Sequence, residues 1–239
     1  SRYLFSIEKS AWIYGTSKIG LPFAGDSFEH KNKLRQLPPA FRLLHNLVHL
    51  NLDDNEFDSL ATLPLLPSLK ELNVSYNQLT VLGNSPSLPK LTSLNLKNNA
   101  IEVFESLHLY PSLVELDLYS NNINKLGKNQ RSKLEHLNLS RNRIQRIENL
   151  NKFPHLIDLN LSNNPIKKIE NLKHLPNLKV LNLKSCWYIE KIENLNYLSA
   201  LENLNLEQCK IQRVQNLQHL KQLRVLDLSD NKIEKIENL

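Results

Sequence analysis

Eight histidines, two cysteines and 24 carboxylates could in principle supply a nucleophile, a general base or a metal site. Their spacing supplies none of these. No nucleophile, base and acid can be placed together. His49 and His136 occupy equivalent positions of the repeat described below. Four units of that repeat hold them about 19 Å apart at sheet spacing, whereas metal–histidine bonds are near ~2 Å. Only five glycines are present, and none forms a phosphate-cradling loop. Catalysis, cofactors and a bound metal are therefore not expected.

Cys186 and Cys209 stand one unit apart, both where other units carry asparagine. One reading is a disulfide or metal pair. The preferred one is accepted substitution at that position, since two thiols lack the ligand count of a zinc site. The absence of flanking disulfide caps favours a reducing compartment. No apolar run approaches the ~18 residues of a membrane helix, and Ser1–Glu8 has no stretch suited to a signal peptide. The chain lacks methionine and stops within a unit at Ile236-Glu237-Asn238-Leu239, so the natural protein is expected to continue. Three N-x-S sequons, at Asn73, Asn138 and Asn160, arise as by-products of the unit. The expected location is cytoplasmic, with nucleus and cilium or cytoskeleton as alternatives.

The unit dominates the chain. It reads L-x-x-L-x-L-x-x-N/C-x-I-x-x-I-x-x-L, with leading leucines Leu47, Leu69, Leu91, Leu113, Leu134, Leu156, Leu178, Leu201 and Leu223. Successive gaps lie between 21 and 23 residues. Such a unit cannot bury its own apolar face, so neighbours must stack into a solenoid. The segment x-L-x-L-x alternates as a strand: both leucines point inward and the x positions outward. Asn55, Asn77, Asn99, Asn121, Asn142, Asn164 and Asn231 form a column that can serve backbone groups the turn leaves unpaired. Two further apolar columns, Phe57 to Ile233 and Leu60 to Ile236, line the outer half. The outer side has room only for 3₁₀ or irregular turns. Pro67, Pro89, Pro111, Pro154 and Pro176 each stand two residues before a leading leucine and favour extended geometry there.

Residues 1–33 depart from the pattern. Tyr3, Phe5, Trp12, Ile13, Tyr14, Phe23 and Phe28 suggest an irregular N-terminal cap or a docking segment. Residues 34–46 read as the outer half of a degenerate unit, with Asn32 as its ladder residue, and residues 47–239 hold nine units. Unit four loses its later apolar positions in the basic stretch Lys125–Lys133. Unit seven carries one extra residue around Cys186-Trp187-Tyr188-Ile189, expected to bulge an aromatic pair toward the rim.

The form L-x-x-L-N-L-S-x-N-x-I-x-x-I-E-N-L, with Ile147–Leu150, Ile169–Leu172 and Ile192–Leu195 as its signature turn, resembles the leucine-rich repeats of the type-1 protein phosphatase regulator class. The resemblance implies an α/β leucine-rich repeat solenoid: right-handed, curved, with a parallel β-sheet on the concave face and 3₁₀ or irregular turns on the convex face. It also implies an intracellular scaffold that grips a protein. A departure is that only Tyr119 is aromatic among the three concave columns.

Charge is uneven. Residues 1–46 hold seven Lys/Arg against three Asp/Glu, residues 47–133 seven against nine, and residues 134–239 sixteen against twelve. The last block has a basic outer column, Arg146, Lys168, Lys191, Arg213 and Lys235, beside the acidic Glu148, Glu170, Glu193 and Glu237. A solvated mixed-charge face is the preferred reading. Nucleic acid is not expected, because no aromatics interleave with the bases for stacking. The expected function is a non-catalytic protein–protein interaction module. Its concave contact set is Asp53, Asp54, Glu71, Tyr76, Lys97, Glu115, Tyr119, His136 and Arg141, with the Trp187/Tyr188 bulge as a second contact. The alternatives are a structural subunit of a ciliary or cytoskeletal assembly, or a phosphatase-regulatory adaptor.

Overall fold

Leucine at the inner positions, with Val74 the one exception, makes each unit's burial periodic. The computed structural model describes residues 18–20, 32–83, 85–128 and 131–237. Strands β2 (His49–Asn51), β3 (Glu71–Asn73), β4 (Ser93–Asn95), β6 (Glu115–Asp117), β8 (His136–Asn138), β9 (Asp158–Asn160), β10 (Val180–Asn182), β11 (Asn203–Asn205) and β13 (Val225–Asp227) come one from each unit. They lie side by side, all parallel, in chain order. The chain is thus a parallel-strand β-solenoid. A tenth strand, β1 (Lys18–Gly20), pairs in parallel with β2, Lys18 opposite His49. It comes from a segment the repeat pattern does not reach. Residues Tyr3, Phe5, Trp12, Ile13, Tyr14, Phe23 and Phe28, read from the sequence as cap or docking segment, lie outside the described residues. So do Asn129 and Gln130 of the basic stretch and Asn238 and Leu239 at the end.

Register is in step throughout. Leu50, Leu72, Leu94, Leu116, Leu137, Leu159, Leu181, Leu204 and Leu226 face one another across the sheet, and all but Leu226 are buried. The core is a stack of such columns rather than a central cluster. Leu34 and Leu37 continue the two outer columns toward the N-terminus: the Leu34 N–H donates to Asn55 Oδ1 at 3.2 Å, and Leu37 is buried.

The outer side carries no α-helix among the described residues. It has 3₁₀ helices at Pro39–Leu43, Leu107–Leu109 and Leu150–Lys152. It also has two small parallel ladders: β5 (Val103–Phe104) with β7 (Lys125–Leu126), and β12 (Arg213–Val214) with β14 (Lys235–Ile236). Where unit four loses its apolar positions, Phe104 and Phe153 from the flanking units meet with ring centroids 5.7 Å apart. Both are buried, so the large rings fill the space that the basic stretch vacates.

Between strand and outer side the chain must turn sharply, and a turn strands backbone groups in the interior. The asparagine column serves them. Asn142 Nδ2 donates to Leu118 O of the preceding unit (2.9 Å) and to Leu139 O and Ser140 O of its own (3.0 and 3.1 Å). Its Oδ1 accepts from the Ile123 N–H at 2.9 Å. Asn77, Asn99, Asn121, Asn164 and Asn231 repeat the same four contacts. Each amide therefore joins two adjacent turns.

Cys186 and Cys209 keep half of this role. Their thiols donate to Leu161 O and Leu183 O of the preceding unit, each at 3.5 Å, but offer no amide oxygen. Unit seven also carries one extra residue. In units one to five and in unit eight the first outer apolar N–H is capped by the next unit's asparagine. In unit seven the next ladder residue is Cys209, and Ile189 instead donates to Cys186 O at 3.0 Å, closing a local turn through Trp187 and Tyr188. Both cysteines are free thiols.

Asn142→Ala removes donor and acceptor together. It is expected to lower the unfolding free energy by about 3 kcal/mol. Asn142→Cys retains the donor and is expected to cost less. Guanidinium denaturation of both variants beside the parent checks the order.

Candidate functional site

The outward side of the sheet is built from three columns, and they differ in what they can offer. The middle one, Asn51, Asn73, Asn95, Asp117, Asn138, Asn160, Asn182, Asn205 and Asp227, bends back onto its own chain. Each Oδ1 accepts the backbone N–H two residues on, at 2.9 to 3.2 Å. This contact closes the strand into the turn. The asparagine in L-N-L is thus a turn-former, and the three sequon asparagines belong to it. The sequence places these residues on the concave face but carries no sign of this second duty.

What remains for recognition is the first and third columns and the rim residue that follows. The first column runs His49, Glu71, Ser93, Glu115, His136, Asp158, Val180, Asn203, Val225. The third runs Asp53, Ser75, Lys97, Tyr119, Ser140, Ser162, Lys184, Glu207, Ser229. In the third column Ser75, Ser140 and Ser162 are buried, so Asp53, Lys97, Tyr119, Lys184 and Glu207 carry its chemistry.

The rim residues are Asp54, Tyr76, Asn98, Ser120, Arg141, Asn163, Ser185, Gln208 and Asp230. All nine have positive φ, between 52° and 57°. None is glycine and none is β-branched. A β-branched side chain is disfavoured in this left-handed region, which explains their exclusion while other types vary freely. In the first eight of these the N–H also donates to the next turn, as from Tyr76 to Lys97 O at 2.9 Å and from Arg141 to Ser162 O at 2.9 Å. A second left-handed column lies on the outer side at Asn149, Asn171, Asn194 and Asn216, with φ of 57° to 63°. Each of their amides donates to the preceding unit, as from Asn171 to Ile147 O at 2.7 Å. The E-N-L signature is therefore a second asparagine ladder.

The sequence-derived contact set divides cleanly on this frame. Glu71, Glu115 and His136 stand in the first column, Asp53, Lys97 and Tyr119 in the third, and Asp54, Tyr76 and Arg141 on the rim. Together they span the first five turns. His49 Nδ1 lies 2.6 Å from Glu71 Oε2, and Ser93 Oγ donates to Glu115 Oε2 at 3.4 Å. The Arg141 guanidinium sits over the Tyr119 ring, 5.5 Å from its centroid. A shallow hollow of about 310 Å³ is lined by Ser93, Asn95, Glu115, Asp117, His136 and Asn138. A second, of about 400 Å³, lies at the rim beside Asp54, Tyr76, Gln78 and Asn98. Burial pushes the Asp158 carboxyl above the usual carboxylate range, and nearby His136 draws it partly back. Further along, Lys184 pairs with Glu207 at 2.6 Å. That bond raises the lysine above its ordinary value.

Trp187 and Tyr188 do not join this set. They sit exposed in the turn after the ladder cysteine, and the Lys210 ammonium lies over the Tyr188 ring at 5.5 Å. Two members of the basic outer column pair between turns: Arg146 with Glu170 at 3.4 Å and Arg213 with Glu237 at 3.6 Å. Among the described residues no three metal-ligating side chains converge, and no helix is long and apolar enough to cross a membrane.

Comparison with known proteins follows the geometry. The family description "Leucine Rich repeats (2 copies)" matches residues 132–174, 155–197 and 199–239, and "Leucine rich repeat" matches residues 67–123. The chain belongs to the leucine-rich repeat proteins. Among solved structures it is similar to a leucine-rich repeat protein of Leptospira interrogans, at 26% identity and TM-score 0.72, covering 87% of this chain and 60% of that one. It is similar in fold to an internalin of Listeria monocytogenes, at 23% identity and TM-score 0.59, covering 85% of this chain and 71% of that one. It is also similar in fold to the Arabidopsis receptor kinase HAESA, solved with a peptide hormone and a co-receptor, at 22% identity and TM-score 0.58, covering 81% and 38%. The chain thus spans less than two thirds of the Leptospira protein. The search of curated proteins finds no match.

Two outcomes are expected from these positions. Tyr76→Val should lower stability by about 1–2 kcal/mol through its left-handed backbone, while Tyr76→Asn should be near neutral. Thermal denaturation separates the two. Burial raises the Cys186 thiol from its ordinary 9.0 to about 12 and Cys209 to about 11. The unfolded chain therefore loses these protons first, and stability should fall as pH rises from 9.0 toward 12. Denaturation midpoints across that window should flatten in a Cys186→Ala/Cys209→Ala variant.

Proposed function

We propose that the chain is a non-catalytic protein-recognition module that holds its partner on the sheet face of turns one to five. The observation that carries this reading is the division of labour among the outward columns. The backbone fold occupies the middle column in every turn. The first and third columns and the rim are left to carry side chains of differing chemistry on a rigid frame of constant pitch. In turns one to five those side chains are two tyrosines, two histidines, a lysine, an arginine and several carboxylates. Aromatic anchors within a polar surround suit a protein interface. The Arabidopsis kinase of the same fold, solved with a peptide hormone and a co-receptor, supports the reading.

The test is affinity capture from the native source with the parent chain and with Tyr119→Ala. A bound protein should be retained by the parent and weakened by the variant, by roughly tenfold or more in dissociation constant. The melting temperature should be unchanged. Binding that ignores Tyr119→Ala and His136→Ala but is lost on Trp187→Ala would move the site to the outer turn.

A further inference from the structure

The charge carried on the sheet face is not spread evenly along it. In turns one to four the outward positions hold Asp53, Asp54, Glu71, Glu115 and Asp117 against a single ammonium, Lys97. In turns five to eight they are balanced, with Arg141 and Lys184 against Asp158 and Glu207. Pairing follows the same divide. Lys184 and Glu207 satisfy each other at 2.6 Å, and the neighbouring Lys179–Glu202–Arg224 group does likewise at 3.2 and 3.7 Å. In turns one to four no lysine or arginine pairs with Asp53, Glu71 or Glu115 among the described residues. Glu71 meets only His49, and Glu115 only a serine hydroxyl. This negative end belongs to a chain of net charge +6, so its sign opposes that of the molecule as a whole.

The tyrosines add an independent indication. The Tyr119 ring already takes a cation, the Arg141 guanidinium, on its face. Tyr76, two turns earlier and 52% exposed, presents a second ring on the adjoining rim, with no cation over it among the described residues. A ring flanked by carboxylates favours a guanidinium or ammonium on its face.

We propose, building on the protein-recognition reading above, that turns one to four of the sheet face bind an extended, basic segment of a protein partner. The segment's lysine or arginine side chains meet Asp53, Glu71 and Glu115 and stack on Tyr76. The dimensions agree. Turns one and four lie about 14 Å apart at sheet spacing, which four or five residues of extended chain span at roughly 3.3 Å each.

The test selects from a displayed library of random twelve-residue peptides against the parent chain. The best peptide is then titrated by fluorescence anisotropy. Enriched peptides should be rich in lysine and arginine. Their affinity should fall at least several-fold between about 0.1 and 0.5 M salt. Asp53→Asn/Glu115→Gln should weaken binding by about tenfold, with the melting temperature unchanged, since neither side chain serves the backbone. Enriched peptides that are neutral or acidic, yet are weakened by Tyr119→Ala, overturn this inference and leave the recognition reading standing. Basic peptides indifferent to both sets of variants overturn both, as does the absence of any enrichment.

Discussion

The need to pair backbone groups inside a turn governs this molecule. A strand of three residues, followed at once by a sharp reversal, leaves carbonyls and N–H groups that no sheet ladder can reach. Burying them unpaired would cost about as much as the leucines contribute per turn. The asparagine column resolves this because one planar amide shares its two N–H donors among three carbonyls and accepts once, and does so across the boundary between turns. Packing of leucines supplies the cohesion, and the amides set the pitch. The cysteine turns keep the donor and lose the acceptor, and in unit seven, which is one residue longer, Ile189 makes its own bond to Cys186 O.

The same constraint shapes the outer surface. Once the middle column closes the strand and the rim residue takes a left-handed backbone, two columns and a rim of unbranched side chains are all that can vary. Variation in side-chain chemistry is therefore confined to positions of known spacing, and the surface differs from turn to turn only through them. That confinement is why uneven charge along the sheet is informative. Residues that serve the fold cannot drift, so the charge of the face is set by those that remain.

Much of the fold is legible in the sequence because burial repeats with the period. The leading leucines, the inner leucines and both outer apolar columns stand where spacing places them, and Ile189 keeps its column despite the insertion. Three things were not legible. Strand β1 arises from Lys18-Ile19-Gly20, which has no repeat signal, and is formed only by pairing with β2. The middle column looked available because spacing says where a side chain starts, not where it turns. The left-handed rim was hidden by its varied residues. Its one trace is the absence of valine, isoleucine and threonine from nine consecutive units. The candidate site was legible as positions and types, and the stacking of Arg141 on Tyr119 required coordinates.

Native-state hydrogen exchange tests the central claim most directly. The N–H groups of Phe57, Leu79, Ile101, Ile123, Ile144 and Ile211 are capped by asparagine oxygens of the following turn. If those amides hold the turns together, these six exchange only through large-scale opening, as slowly as the strand amides of Leu94 or Leu159. Exchange at the rate of exposed loop amides, with the strands still protected, would contradict the account.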